Sequence, residues 1–205
     1  MKRAFQVKTQ KECRELYKDW AKTYDQTMVG DHQYIAPVLL SKIFAEIVID
    51  KSSQILDLGC GTGLVGEALR DLQFHNVDGL DFSKEMLDAA QQKKSYRNLI
   101  HADLTKTTNV RSGAYDAQIC AGLFTYGHLD ATCIDECFRM LKVGGVFSTA
   151  IREQIWTSMG FSQKFDEMVK AGQVEIISKE NLENYTGGEK HGVYLFCRKL
   201  SWEKD

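Results

Sequence analysis

A single proline, Pro37, stands in 205 residues, with no low-complexity tract and no internal repeat. Without proline-rich or serine-rich joints there is no place for an interdomain linker, so one domain over 1–205 is expected. No block of like charge is present either, since 26 basic residues face 28 acidic ones for a formal charge of −2. That balance generates no field to gather phosphate backbones; nucleic acid is disfavoured and a small-molecule partner fits better. No apolar run reaches the length of a membrane span, and the N-terminus, MKRAFQVKTQKEC, is basic without a signal-peptide core. The expectation is a soluble cytoplasmic protein, open to the nucleus, with no membrane partner and no assembly beyond a monomer or weak dimer. Six cysteines, at 13, 60, 120, 133, 137 and 197, form no C-x-x-C pair. Cys133 and Cys137 are one helical turn apart without a matching His/Cys pair, so they read as small apolar filler and no metal site is expected.

What is present is an alternation of short apolar runs with amphipathic stretches, and a 43% hydrophobic content is enough for a sizeable core. SQILDLG (53–59), NVDGLDF (76–82), LIHADL (99–104), YDAQICAGL (115–123) and GVFSTAIR (145–152) read as strands. Between them GLVGEALRDLQ (63–73), SKEMLDAAQQKK (83–94) and ATCIDECFRMLK (131–142) read as helices, the second with a Ser N-cap and the third stopped at Gly144 and Gly145. Such alternation predicts a parallel α/β sheet with helices on both faces. Upstream, 11–28 and 36–50 read as two amphipathic helices placed to cover a ligand mouth, so 1–50 is expected to form a helical cap on a 51–205 core. Downstream, 161–172 reads as a helix, and strands 173–178 and 192–200 are too close for a crossover helix, which predicts an antiparallel hairpin at the sheet edge.

One turn carries chemistry. In LDLGCGTGLVG (56–66), Gly61, Gly63 and Gly66 spell the G-x-G-x-x-G of a dinucleotide turn, while Asp57, Gly59, Gly61 and Gly63 spell D-x-G-x-G-x-G. Either way, glycines admit a ligand to the backbone and the following helix N-terminus offers unpaired N–H donors. The two spellings separate on charge. A pyrophosphate over the turn would meet the carboxylate of Asp57, whereas the α-ammonium and sulfonium of S-adenosylmethionine would be attracted by it. Asp81, at the next strand end, suits the ribose hydroxyls of either ligand. Asp103 and the Leu104 amide, at the end of HADL, frame an adenine edge, and together with Asp57 they favour the methyl donor over NAD.

With these residues in place, the chain resembles the class I S-adenosylmethionine-dependent methyltransferases: LDLGCGTG, GLDFSKEML, HADL, YDAQICAGLF and RMLKVGGVF follow that family's order over about 53–150. LYKDWAKTYDQ, YIAPVLLSKIF, DLGCGTGLVGEALR and FTYGHL resemble, more narrowly, the methyltransferase-like group named for the Williams–Beuren syndrome chromosome region. The resemblance implies a Rossmann-like, doubly wound, seven-stranded sheet with an antiparallel last strand, and S-adenosylmethionine as cofactor with S-adenosylhomocysteine as product. It implies that Gly59, Cys60 and Gly61 meet the methionine part, with Gly63 and Leu64 completing the turn. Asp81 and Phe82 would take the ribose, Met86, Asp103 and Leu104 the adenine, and Ala121 would sit near the sulfonium. Tyr24 is a candidate to close over the methionine end, with Trp20 on the same helical face and His32 and Tyr34 candidates for the entrance.

Methyl transfer asks the protein to align a nucleophile and exclude water rather than to supply one. No catalytic triad is evident; Tyr126 and His128, in AGLFTYGHLD (121–130), are the weak candidates for removing a proton. CAGLF replaces the [N/D]-P-P-Y pattern of many base and glutamine methylators, which points away from those acceptors. The function expected is methyl transfer to an O, N or S atom of a small molecule. A protein methyltransferase, a non-catalytic S-adenosylmethionine binder and, further off, an NAD-dependent oxidoreductase stand as rivals.

Overall fold

The computed structural model describes Glu12, Trp20, Ala21 and residues 23–124 and 129–202. Seven strands form one sheet: β1 (Ile55–Leu58), β2 (Val77–Asp81), β3 (Asn98–His101), β4 (Tyr115–Ala121), β5 (Leu141–Arg152), β6 (Val174–Leu182) and β7 (Gly192–Lys199), in the order β3-β2-β1-β4-β5-β7-β6. The pairings among β1 to β5 are parallel, and β7 runs antiparallel to both β5 and β6. This is the Rossmann-like, doubly wound architecture of the expectation, including its reversed last strand. The chain reverses between β1 and β3 on one side and β4 on the other, which leaves a crevice at the carboxyl ends of the central strands.

Among the described residues six α-helices flank the sheet: α1 (Ala36–Ile47), α2 (Leu64–Asp71), α3 (Lys84–Lys93), α4 (Ile134–Met140), α5 (Glu153–Ser158) and α6 (Phe161–Lys170). β1 and β2 are buried throughout, as strands covered on both faces must be. Their alternate residues feed two cores. Ile55 packs with Leu40, Phe44, Leu69 and Phe74 beneath α1 and α2, while Leu56 and Leu58 join Phe138, Phe147, Trp156 and Phe165 on the other face. β7 divides in the same way, with Tyr194 and Phe196 on one side and Val193, Leu195 and Cys197 on the other.

Several boundaries differ from expectation for local reasons. β3 stops at His101, because Asp103 Oδ1 accepts the Thr105 amide at 3.0 Å and the Thr105 hydroxyl at 2.7 Å, a turn that takes the chain out of the sheet. Asp103 and Leu104 therefore lie in the loop beyond the strand. The stretch 131–142 is a short 3₁₀ turn, Ala131–Cys133, followed by α4, which ends at Met140 rather than at the glycines. Leu141 already pairs with Tyr115 in the sheet, and the Lys199 ammonium takes the orphaned Phe138 and Leu141 carbonyls, each at 2.6 Å. α5 was not foreseen. Half of 11–28 lies outside the described residues; its end enters a π-helical turn, Gln26–Asp31. No helix among the described residues is long and apolar enough to cross a membrane.

Candidate functional site

β1 hands the chain to α2 through a turn that needs three left-handed residues: Gly59 at φ +65°, Gly61 at +52° and Gly63 at +94°. Left-handed backbone is costly for residues with a Cβ, and here space adds a second demand. A Cβ on Gly59 would lie 2.4 Å from Leu123 Cδ1, whereas one on Gly61 would meet nothing within 4 Å. Gly59 is thus closed in by the β4 loop and Gly61 faces open space.

Asp81 ties this turn to the end of β2. Its Oδ2 accepts the Gly61 amide at 2.9 Å and its Oδ1 accepts the Ser83 amide at 2.8 Å. Burial pushes its carboxyl above the usual range, and the amides of Ser83, Gly61 and Phe82 pull it back. A carboxylate has about four acceptor positions, so lone pairs remain for a ligand.

Two adjoining cavities open on this framework. The first, about 620 Å³ together with its space open to solvent, is lined by the predicted Tyr24, Tyr34, Gly59, Cys60, Gly61, Leu64, Asp81, Phe82, Met86 and Ala121, and by Pro37, Thr62, Val65, Gly122 and Leu123 besides. The second, about 380 Å³, is lined by Asp103 and Leu104 with Leu80, Ala102, Thr105 and Leu129, and it shares Gly59, Asp81, Phe82 and Leu123 with the first. Leu123, absent from the sequence reading, forms the wall between them; only its nearness to Gly59, 64 residues earlier, gives it that place.

Two residues predicted to bind the cofactor line neither cavity. Asp57 is sealed beneath the turn, fully buried, and accepts the Tyr96 hydroxyl at 2.6 Å on Oδ2. Desolvation raises its pKa to about 8, against the pull of that hydrogen bond. Its Oδ1 has no hydrogen-bond partner among the described residues. Gly63 caps α2 instead of facing a ligand. His32 is likewise absent from both walls, and Tyr126 and His128 lie outside the described residues.

The N-terminal segment closes one side. Tyr24 meets Trp20 edge to face with centroids 4.9 Å apart, and burial raises its phenol, reinforced by Tyr185, Asp25 and Asp81. Asp25 accepts the Thr62 hydroxyl and pairs with Lys93 at 2.6 Å, and Lys93 also reaches Glu67 at 2.6 Å. Tyr34 packs against Tyr185, with centroids 5.3 Å apart, and its hydroxyl would touch a Cβ on Gly122 at 2.9 Å. The Ile35 amide donates to Asn184 O at 2.9 Å, fastening the cap to the β6–β7 loop.

A left-handed glycine turn, an acid at the end of the second strand and an acid beyond the third define an adenosine-ligand site on a Rossmann-like sheet. An open face at Gly61 and acceptor capacity at Asp81 suit a ligand bearing hydroxyls. Comparison with known proteins agrees. Residues 56–149 match the family described as Methyltransferase domain. Human Methyltransferase-like protein 27 is 32% identical over 139 residues, covering 66% of this chain and 56% of its own length. The 18S rRNA (guanine(1575)-N(7))-methyltransferase of Saccharomyces cerevisiae is 25% identical over 157 residues, 76% of this chain and 56% of the yeast protein. The chain thus spans 56% of the length of each of these curated relatives. In fold it is similar to a Burkholderia thailandensis 1,6-didemethyltoxoflavin-N1-methyltransferase solved with S-adenosylhomocysteine, at TM-score 0.64 and 17% identity over 91% of this chain and 88% of that one. Over residues 56–149 the chain is thus similar to methyltransferase domains, and its Rossmann-like fold is that of S-adenosylmethionine-dependent methyltransferases.

Proposed function

We propose that this chain is an active methyltransferase that holds S-adenosylmethionine across the carboxyl ends of β1 to β4 and passes its methyl group to an O, N or S atom of a small molecule. The observation that carries the proposal is the pair of cavities that share Gly59, Asp81, Phe82 and Leu123 at the carboxyl ends of the central strands.

In this reading Asp103 and the Leu104 amide frame the adenine, Met86 and Phe82 pack near it, and Asp81 takes the ribose hydroxyls. Gly59, Cys60 and Gly61 present backbone groups to the methionine part, with Leu64 behind them and Tyr24 over them. Asp57 acts from beneath the turn, and Gly63 seats the helix. Once bound, the donor supplies a methyl group already activated on a sulfonium. The protein's share is alignment beside Ala121 and exclusion of water by the cap. Tyr126 and His128 remain our candidates for taking a proton from the acceptor. We assign 1–50 as the cap and 51–205 as the core of one domain, and place the chain in the Williams–Beuren methyltransferase-like group, with LYKDWAKTYDQ and YIAPVLLSKIF as support.

The formal charge of −2 favours a metabolite acceptor over nucleic acid. Incubating the chain with methyl-labelled S-adenosylmethionine and fractionated cell extract tests this, and label is expected in the small-molecule fraction. Label confined to RNA or to protein overturns the acceptor class. Donor binding without transfer to any fraction overturns catalysis.

A further inference from the structure

Tyr96 touches neither cavity, yet its hydroxyl stands between the two parts of the glycine turn. It donates to Asp57 Oδ2 at 2.6 Å and accepts the Gly66 amide at 3.1 Å, so one oxygen joins the end of β1 to the first turn of α2. The ring occupies the space that glycine leaves on the helix. A Cβ on Gly66 would lie 2.4 Å from Tyr96 Cζ, and one on Gly63 3.1 Å from Tyr96 Cε2. The Gly66 that completes the dinucleotide spelling is therefore a glycine because Tyr96 fills its place.

The same hydroxyl sets the state of Asp57. The titratable groups that face this carboxyl are Tyr96 from the loop before β3, Asp81 from β2, Cys60 from the turn and Cys120 from β4, and none of them is a cation. Only the Tyr96 hydrogen bond favours the carboxylate, while burial and Asp81 oppose it.

We infer that Tyr96 is a positioning residue for the methyl donor: it seats α2 and holds the Asp57 carboxyl in place beneath the turn, so that donor affinity depends on a hydroxyl that never meets the ligand. This rests on the donor site proposed above. A cationic ligand then draws the proton off Asp57, and binding near neutral pH is coupled to proton release.

The test is calorimetry of S-adenosylmethionine binding to the wild-type chain, Tyr96→Phe and Asp57→Asn between pH 6 and 9, in buffers of different ionisation enthalpy, with thermal melts alongside. Tyr96→Phe keeps the ring and is expected to fold; it should bind about tenfold more weakly at neutral pH, the scale of one hydrogen bond to a charged group. Its binding inflection should move to higher pH, because the bond that favours the Asp57 anion is gone. Asp57→Asn should lose the proton release. Wild-type affinity and an unshifted pH profile in a folded Tyr96→Phe overturn the role of Tyr96 alone. Unchanged proton release in Asp57→Asn overturns the coupling, and no binding to folded wild-type chain overturns the donor site on which both depend.

Discussion

The Gly61 amide and the Asp81 carboxylate meet at 2.9 Å, locking the turn after β1 to the end of β2 across 20 residues of sequence. The same carboxylate lines both cavities, so it is at once a brace for the turn and an acceptor open to ligand. Replacing Asp81 with Ala should weaken S-adenosylhomocysteine binding by about 1–3 kcal/mol, the cost of a lost buried hydrogen bond. The melting temperature should fall as well, since the Gly61 and Ser83 amides lose their acceptor. Calorimetry that finds wild-type affinity removes Asp81 from the ligand site.

Gly59 and Gly61 share a left-handed backbone but not a neighbourhood, which separates two kinds of damage. Either alanine variant pays roughly 1–2 kcal/mol for the left-handed conformation. At Gly59 the new methyl also strikes Leu123, 2.4 Å away, so Gly59→Ala should be the less stable in denaturant melts. At Gly61 the methyl enters the cavity, so Gly61→Ala should retain more stability yet lose more affinity for S-adenosylhomocysteine. The reverse ranking on both measurements contradicts the placement of the turn.

The strand–turn–helix from Asp57 to Leu64 was legible in the sequence, because left-handed glycines between an apolar run and an amphipathic stretch are a local consequence of a strand feeding a helix. Legibility ended where partners are far apart. Tyr96 lies 39 residues from Asp57 and 30 from Gly66, and no periodicity marks it. Lys199 ends α4 from 61 residues away, so that boundary was illegible too. Asp103 was recognised, but its side-chain turn with Thr105 was not, and it ends β3 two residues before the aspartate.

Stability should depend on pH through Asp57 in a direction unusual for a carboxylate. Its folded pKa, about 8, lies above the unfolded value near 4, so the folded chain holds the proton more tightly. The stability this contributes is complete below about pH 4 and is lost as pH rises toward 8. Asp57→Asn cannot ionise, so in ligand-free urea melts its stability relative to wild type should improve from pH 5 to pH 8. No change in that difference across the interval contradicts a protonated Asp57.

Lys93 ties the segment before α1 to α2, reaching Asp25 and Glu67 at 2.6 Å each. These groups are partly exposed, so Lys93→Met should alter global stability by less than about 1 kcal/mol. Its larger effect should be kinetic: with the cap less firmly held over the turn, S-adenosylhomocysteine should dissociate faster in stopped-flow displacement, and the salt dependence of that rate should diminish. An unchanged off-rate means the pair does not hold the cap closed.

The central claim is that the two cavities joined at Asp81 form one donor site. Titration of the folded chain with S-adenosylmethionine and with S-adenosylhomocysteine tests it most directly. Saturable binding of each at one molecule per chain, competing with the other, is the predicted result; absence of heat and of thermal stabilisation with both ligands would contradict it.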